Sequence, residues 1–207
     1  MMLQAAMAIM MCAILATAAA AITGSGGTGE LARVGKVITY PAPEGEPASA
    51  DYEVKVNGKP VFCYTSFRYD TDSKQTISGR PVSPLSFCYF DQDGPVTVEI
   101  RFLDGLKKAG IDTSKVIVRP LARGIEPKVK DGKITFTLDK PGQLSIEPGG
   151  SLTHALHVFS NPPEKEIPDP KDPNVLYFGP GYHELGETQL KSGQTVYVAG
   201  GAIVSLK

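Results

Sequence analysis

Two pairs of aspartates are the first residues in this chain whose spacing invites chemistry: Asp70 and Asp72 in Tyr-Asp-Thr-Asp, and Asp91 and Asp93 in Phe-Asp-Gln-Asp-Gly. Glycoside hydrolysis needs two carboxyl groups facing each other across a cleft, one as acid and one as base or nucleophile. Both pairs sit among turn-forming residues, where aspartate accepts hydrogen bonds from backbone N–H groups, and that is the role expected of them. Asp91 and Asp93 also suggest calcium, but the segment lacks the further oxygens and distant glutamate of a calcium loop. The histidines are His154, His157 and His183. No serine or cysteine nucleophile motif accompanies them and they lack metal-ligand spacing on a helix, so packing or surface roles are expected. Tyr52, Tyr64, Tyr69 and Tyr89 could line a platform for sugar rings; half-buried packing is the more ordinary role of strand tyrosines. Gly179-Pro180-Gly181 is not a phosphate loop, because no Lys-Ser/Thr follows it and no helix opens there. No catalytic, cofactor-binding or metal-ligating residue is assigned within the chain, and no cofactor is expected.

Cys63 and Cys88 occupy similar contexts, Phe62-Cys63-Tyr64 and Phe87-Cys88-Tyr89, both expected to be strands. Two readings stand side by side. In an exported protein the two can pair as a disulfide, or both can be buried thiols acting as small hydrophobes. Neither has a Cys-x-x-Cys neighbour, so zinc is not expected.

The elements that must position these residues are short strands closed by turn chemistry. The chain has 207 residues, 42% of them hydrophobic, with 22 glycines and 17 prolines. No long helical pattern appears, which favours an all-β chain rich in turns. Strands are expected over 34–40, 52–56, 60–67, 85–90, 96–102, 116–120, 134–138, 143–147 and 156–159. Asn57-Gly58 and Asp131-Gly132 are hairpin signals. The run 96–102 alternates cleanly, placing Val96, Val98, Ile100 and Phe102 on one face. The stretch from Arg68 to Pro84 is polar, with Gly79, Pro81 and Pro84, and reads as a long loop. Asp91-Gln92-Asp93-Gly94 reads as a turn. The only helical candidate is the short run 103–110. Many closely spaced strands predict an antiparallel β-sandwich over 34–159.

Formal net charge is −1, from 21 basic and 22 acidic residues spread along the chain. No basic stripe exists, so nucleic acid is not expected as a partner. The first charged residue is Glu30, and Ala5 to Ala21 is apolar apart from Thr17. This pattern, ending in small residues, is that of a signal peptide over 1–21 followed by a linker over 22–33. It lacks the usual Lys or Arg before the apolar run. The competing reading is an uncleaved membrane anchor, although a spanning helix wants about 20 strongly apolar residues. Either way the rest of the chain is expected to be secreted, periplasmic or in the cell envelope. The membrane is a partner only if that segment is not cleaved. Cys12 lacks the small residue that precedes a lipidated cysteine.

Residues 160–173, Ser-Asn-Pro-Pro-Glu-Lys-Glu-Ile-Pro-Asp-Pro-Lys-Asp-Pro, read as a stiff interdomain linker. Two β-rich runs follow, 175–178 and 195–198, with Val175 and Val196 spaced 21 positions apart. Ala202-Ile203-Val204 comes next, after Gly200-Gly201. Short strands recurring at about twenty residues are how a solenoid begins. A solenoid needs roughly three or more repeats for stability, which gives the expectation that 174–207 is a truncated start.

The run from Leu156 to Val204 resembles the junction in right-handed β-helix glycoside hydrolases of the polygalacturonase and dextranase (pectin lyase-like) type. The matching elements are Tyr177 to Gly181, His183, Leu190, Ser192 to Tyr197 and Ala199 to Val204. Asp93 to Val98 and Arg119-Pro120-Leu121 also resemble the sandwich of such proteins. The resemblance implies an all-β chain: a β-sandwich followed by the first coil of a right-handed parallel β-helix. It implies the N-terminal fragment of an exported polysaccharide-degrading enzyme, with a polysaccharide substrate. The hydrolytic aspartates of such enzymes lie on central coils, and their motifs are not found here, so the chain alone is expected to be inactive. A non-catalytic secreted module that binds carbohydrate or protein is the alternative, and an anchored envelope protein a third.

Overall fold

The computed structural model describes residues 34–206. The expected signal peptide (1–21), the linker (22–33) and Cys12 lie outside the described residues. The strands in chain order are β1 Lys36–Ile38, β2 Tyr52–Val56, β3 Lys59–Val61, β4 Cys63–Tyr69, β5 Thr76–Ile77, β6 Arg80–Asp93 and β7 Val96–Phe102. After the helix α1, Asp104–Lys108, come β8 Val116–Arg119, β9 Lys128–Lys130, β10 Lys133–Leu138, β11 Gly142–Pro148 and β12 Leu156–Asn161. The C-terminal strands are β13 Val175–Phe178, β14 Gly181–Leu185, β15 Thr195–Val198 and β16 Ala202–Leu206.

The first twelve strands make two sheets. A five-stranded sheet runs β3-β2-β7-β10-β9; a seven-stranded sheet runs β1-β6-β12-β11-β8, with β4 and β5 also paired to β6. Period-two alternation puts matched rows of apolar residues on the inner faces. In the smaller sheet Val54, Ile100 and Ile134 lie in register, as do Val56, Val98 and Phe136. In the larger sheet Cys63, Cys88, Val158 and Leu144 form one row, and Leu156, Ile146 and Val118 another. All of these belong to one buried core shared by both sheets. The hairpins at Asn57-Gly58 and Asp131-Gly132 form as the sequence predicts, with all four residues at positive φ. Val96, Val98 and Ile100 are buried and Phe102 packs at the margin of the same core.

Four expectations need correction. Arg68 to Pro84 is not a long loop: β4 continues to Tyr69 and pairs with β6, Tyr69 opposite Val82, so this region is a β-ribbon. The run 60–67 is not one strand; it breaks at Phe62, with Val61 paired in the smaller sheet and Cys63 in the larger. Asp91, Gln92 and Asp93 are not a turn but the end of β6, opposite Ile38, Val37 and Lys36. The sandwich is not antiparallel throughout, since β6 and β12 run parallel, Cys88 opposite Val158.

Gln92 shows how polar groups are accommodated inside. Its side-chain Nε2 donates to the Gly94 carbonyl at 2.9 Å and the Leu138 carbonyl at 3.0 Å, while Oε1 accepts from Ser160 Oγ at 2.5 Å. The amide thus joins the two sheets with its donors and acceptor used. Gln92→Ala should cost about 2 kcal/mol, because a buried carbonyl and hydroxyl lose their partners. A lowered urea midpoint at unchanged slope would record it.

Beyond the sandwich, β13 pairs with β15 and β14 with β16, both parallel. Val175 lies opposite Thr195, an offset of 20, whereas Gly181 lies opposite Ala202, an offset of 21. The spacing of 21 read from Val175 and Val196 is thus one residue out of register for this pair, since Val196 lies opposite Leu176, and the second pair gains one residue between β15 and β16.

Candidate functional site

The residues that converge most are at the seam between the sandwich and these parallel rungs. Tyr40 leaves β1 and Tyr89 projects from the outer face of β6, since its neighbours Cys88 and Phe90 point into the core. The two rings stack with centroids 5.5 Å apart. Gly200 lies against the Tyr40 ring so closely that a Cβ there would overlap it. Gly201 N–H donates to the Tyr89 hydroxyl at 2.9 Å. Only glycine allows this approach, and Gly201 itself has φ +84. The Tyr40 hydroxyl donates to the buried Asp91 carboxylate. On the other side Tyr197 donates to Glu164 Oε2 at 2.5 Å and stacks on Tyr177, centroids 5.1 Å apart. A cavity of about 430 Å³ lies among Tyr40, Tyr89, Asp91, Asn161, Glu164 and Gly200.

Two carboxyls on one cavity raise the question of hydrolysis. Each already accepts a tyrosine O–H, Asp91 from Tyr40 and Glu164 from Tyr197. The arrangement works as a brace. Burial and the Asp91 hydrogen bond push the Tyr40 phenol well above its ordinary range. The Glu164 hydrogen bond pushes the Tyr197 phenol up to about 12 from 10.0. A raised phenol favours the neutral, donating form in the folded state. Its stabilising effect is therefore complete below pH 10 and is lost as pH rises toward about 12. Protection factors of the β15 amides, corrected for intrinsic exchange, should fall across that window, and the fall should be absent in Tyr197→Phe.

Docking of the rungs on the sandwich does not rest on the whole of β15. Val196 is 41% exposed, and docking runs through Gly200 and Gly201 instead. The aspartate pairs are not brought together as a dyad. Asp70 accepts from Ser83 Oγ at 2.6 Å, Asp72 N–H at 3.2 Å and Arg68 at 2.9 Å, which is the turn role expected of it, and its carboxyl is held low chiefly by Ser83. Asp91 is the exception, a buried strand residue. Of the four tyrosines, Tyr52 and Tyr64 are buried, Tyr89 is at the seam, and Tyr69 is exposed with Arg80 over its ring. They do not form one platform.

His183 lies in β14, its Nε2 2.7 Å from the Gly179 carbonyl and its ring edge-on to Phe178. His154 Nδ1 is 2.7 Å from Asp51 Oδ2, and its carbonyl accepts from the Tyr52 hydroxyl. Among the described residues no serine or cysteine hydrogen-bonds the His154 ring, so the pair ties the 49–52 segment to the start of β12 without a nucleophile. Cys63 and Cys88 face each other from β4 and β6 as free, buried thiols. A second concavity of about 630 Å³, largely apolar, opens where the chain switches sheets, between Tyr40, Pro41, Pro60, Phe62 and Leu103. Sequence reasoning missed Tyr40, Asp91, Glu164 and Gly200 as a group. The adjacent glycines after a β-rich run were the one visible signal.

No protein-family model matches the chain, and no curated protein matches it. Among solved structures it is similar to Dex49A from Penicillium minioluteum, at 18% identity and a TM-score of 0.57. The match covers 81% of this chain and 44% of that one, so this chain spans less than half of that neighbour's length. At this identity the likeness is one of fold.

Proposed function

We propose that this chain is the N-terminal part of an exported polysaccharide-degrading glycoside hydrolase. In this reading the sandwich carries the first coil of a right-handed parallel β-helix, and the acid and base carboxyls stand on further coils. The observation that carries it is the pair of parallel rungs, offset by 20 and 21 residues and seated on the sandwich through Gly200 and Gly201. The fold likeness to Dex49A, a dextranase, supports the same class. Inverting and retaining hydrolysis both require two carboxyls about 5–10 Å apart across the bond. The rungs offer Glu184, exposed on β14, and Glu187, exposed just beyond it.

The test is reducing-sugar release from dextran, pectin and related glucans. The 207-residue chain should be silent, and a polypeptide carrying further coils should be active. Activity of the chain alone that vanishes in Glu184→Gln or Glu187→Gln would overturn the proposal. A second reading, a non-catalytic carbohydrate-binding module, is favoured by the concavity beside Phe62 and Leu103. It requires retention of the chain on immobilised glucan, lost on Phe62→Ala.

A further inference from the structure

We infer that Cys63 and Cys88 are a disulfide site, closed under oxidising conditions, that staples the strand crossing between the two sheets to the central strand of the larger one. The pair is not merely nearby. Cys63 in β4 lies directly opposite Cys88 in the antiparallel strand β6. Both side chains point into the core, Cys63 at 5% and Cys88 at 0% exposure.

The backbone hydrogen bonds fix which kind of pair this is. In an antiparallel ladder a residue's N–H and C=O point to the same side. The Cys63 carbonyl accepts from Ser49 N–H at 2.8 Å, away from β6. On the partner strand, Ser86 N–H donates to the Ala155 carbonyl at 2.9 Å, away from β4. Cys88, two residues further along β6, presents its polar groups to that same side, where β12 runs. Neither cysteine therefore bonds the other's backbone. They form the non-hydrogen-bonded type of pair, in which Cα atoms are about 4.5 Å apart and side chains are closest. Disulfides span Cα separations of about 4.4–6.8 Å. The bond can form with little movement of either strand.

The bridge has a definite mechanical place. Val61 belongs to the smaller sheet and Cys63 to the larger, so Cys63 is the first residue after the crossing at Phe62. Closing the bond fixes that crossing to β6, which carries the ladders to β1, β4 and β12.

The chemistry is thiol–disulfide exchange with a small-molecule disulfide such as oxidised glutathione. The Cys63 thiolate attacks one sulfur of the donor and releases one thiolate. The Cys88 thiolate then attacks the Cys63 sulfur of the mixed disulfide and expels the second. The donor gains two electrons and the protons of the two cysteines, and the protein loses the same. The neighbouring Cys63 side chain and full burial hold the Cys88 thiol well above its ordinary range. Thiolate is scarce in the folded core, so the bond closes as the strands assemble and slowly once they are packed.

The full chain is unfolded in reductant, refolded with oxidised glutathione, and digested without reduction for mass spectrometry. The expected product joins the Cys63 and Cys88 peptides, lighter than their sum by two hydrogens. Reduction of this species should lower Tm by about 5–15 °C, the range expected for a closed loop of some 25 residues in a domain of this size. The Cys63→Ser/Cys88→Ser variant should show a Tm indifferent to reductant. Complete alkylation of both cysteines after oxidative refolding would overturn the inference, as would capture of either one by Cys12. The peptide map needs only the unaltered chain, so it decides the matter even if the variant does not fold.

Discussion

Phe90→Ala is expected to lower the stability of the sandwich by about 3–5 kcal/mol. Phe90 is fully buried in β6 and packs in the core shared by both sheets. Truncation removes the transfer free energy of the ring and leaves a cavity between two sheets that can close only partly, because their registers are fixed by ladders on either side. Urea unfolding should show a lower midpoint. Tyr89→Ala, one residue earlier on the same strand, is the informative control. Its ring points outward to stack on Tyr40, and its hydroxyl accepts from Gly201 N–H. That variant should leave the sandwich transition nearly in place and loosen the rungs instead. Equal global losses from both would contradict the two-faced reading of β6.

Gly200→Val is expected to release the parallel rungs while the sandwich stays folded. Any side chain at this position meets the Tyr40 ring. To move aside, Tyr40 must give up its hydrogen bond to the buried Asp91 and its stack on Tyr89. Overpacking of this kind costs about 1–3 kcal/mol, and the loss of the Asp91 partner adds about 1–3 more. Hydrogen exchange should speed up over 175–206 and remain slow over β7 and β10. Tyr40→Ala introduced into Gly200→Val should restore part of the protection, since it removes the obstructing ring. No restoration, or exchange rising equally in β7, would show that the contact is not what holds the rungs.

Local chemistry was legible in the sequence wherever it was self-sufficient. Asn57-Gly58 and Asp131-Gly132 form their hairpins because both residues of each turn must adopt positive φ. The alternation of Val96, Val98 and Ile100 maps directly onto the core. The misreadings share a cause, which is reliance on turn residues without knowing their partners. Pro84 looked like a strand breaker. In the structure it occupies a non-hydrogen-bonded position opposite Phe67, and on its other side it presents only a carbonyl, which accepts His154 N–H at 2.8 Å. A proline there forfeits no ladder bond. Likewise Asp91-Gln92-Asp93 has turn composition, but Gln92 finds partners on Leu138 and Ser160, distant in the chain. The seam was not legible because its parts are scattered: Tyr40, Asp91, Glu164 and Gly200 lie in four separate segments, and only the fold makes them neighbours.

The contact between Gly200 and the Tyr40–Tyr89 stack also bears on the order of assembly. Synthesis runs from the N-terminus, so the sandwich can fold while the rungs are still being made. The Tyr40–Tyr89 stack is then a flat, pre-built surface that accepts the backbone of the incoming turn at one glycine. The sandwich thereby acts as a template on which the two parallel strand pairs can register.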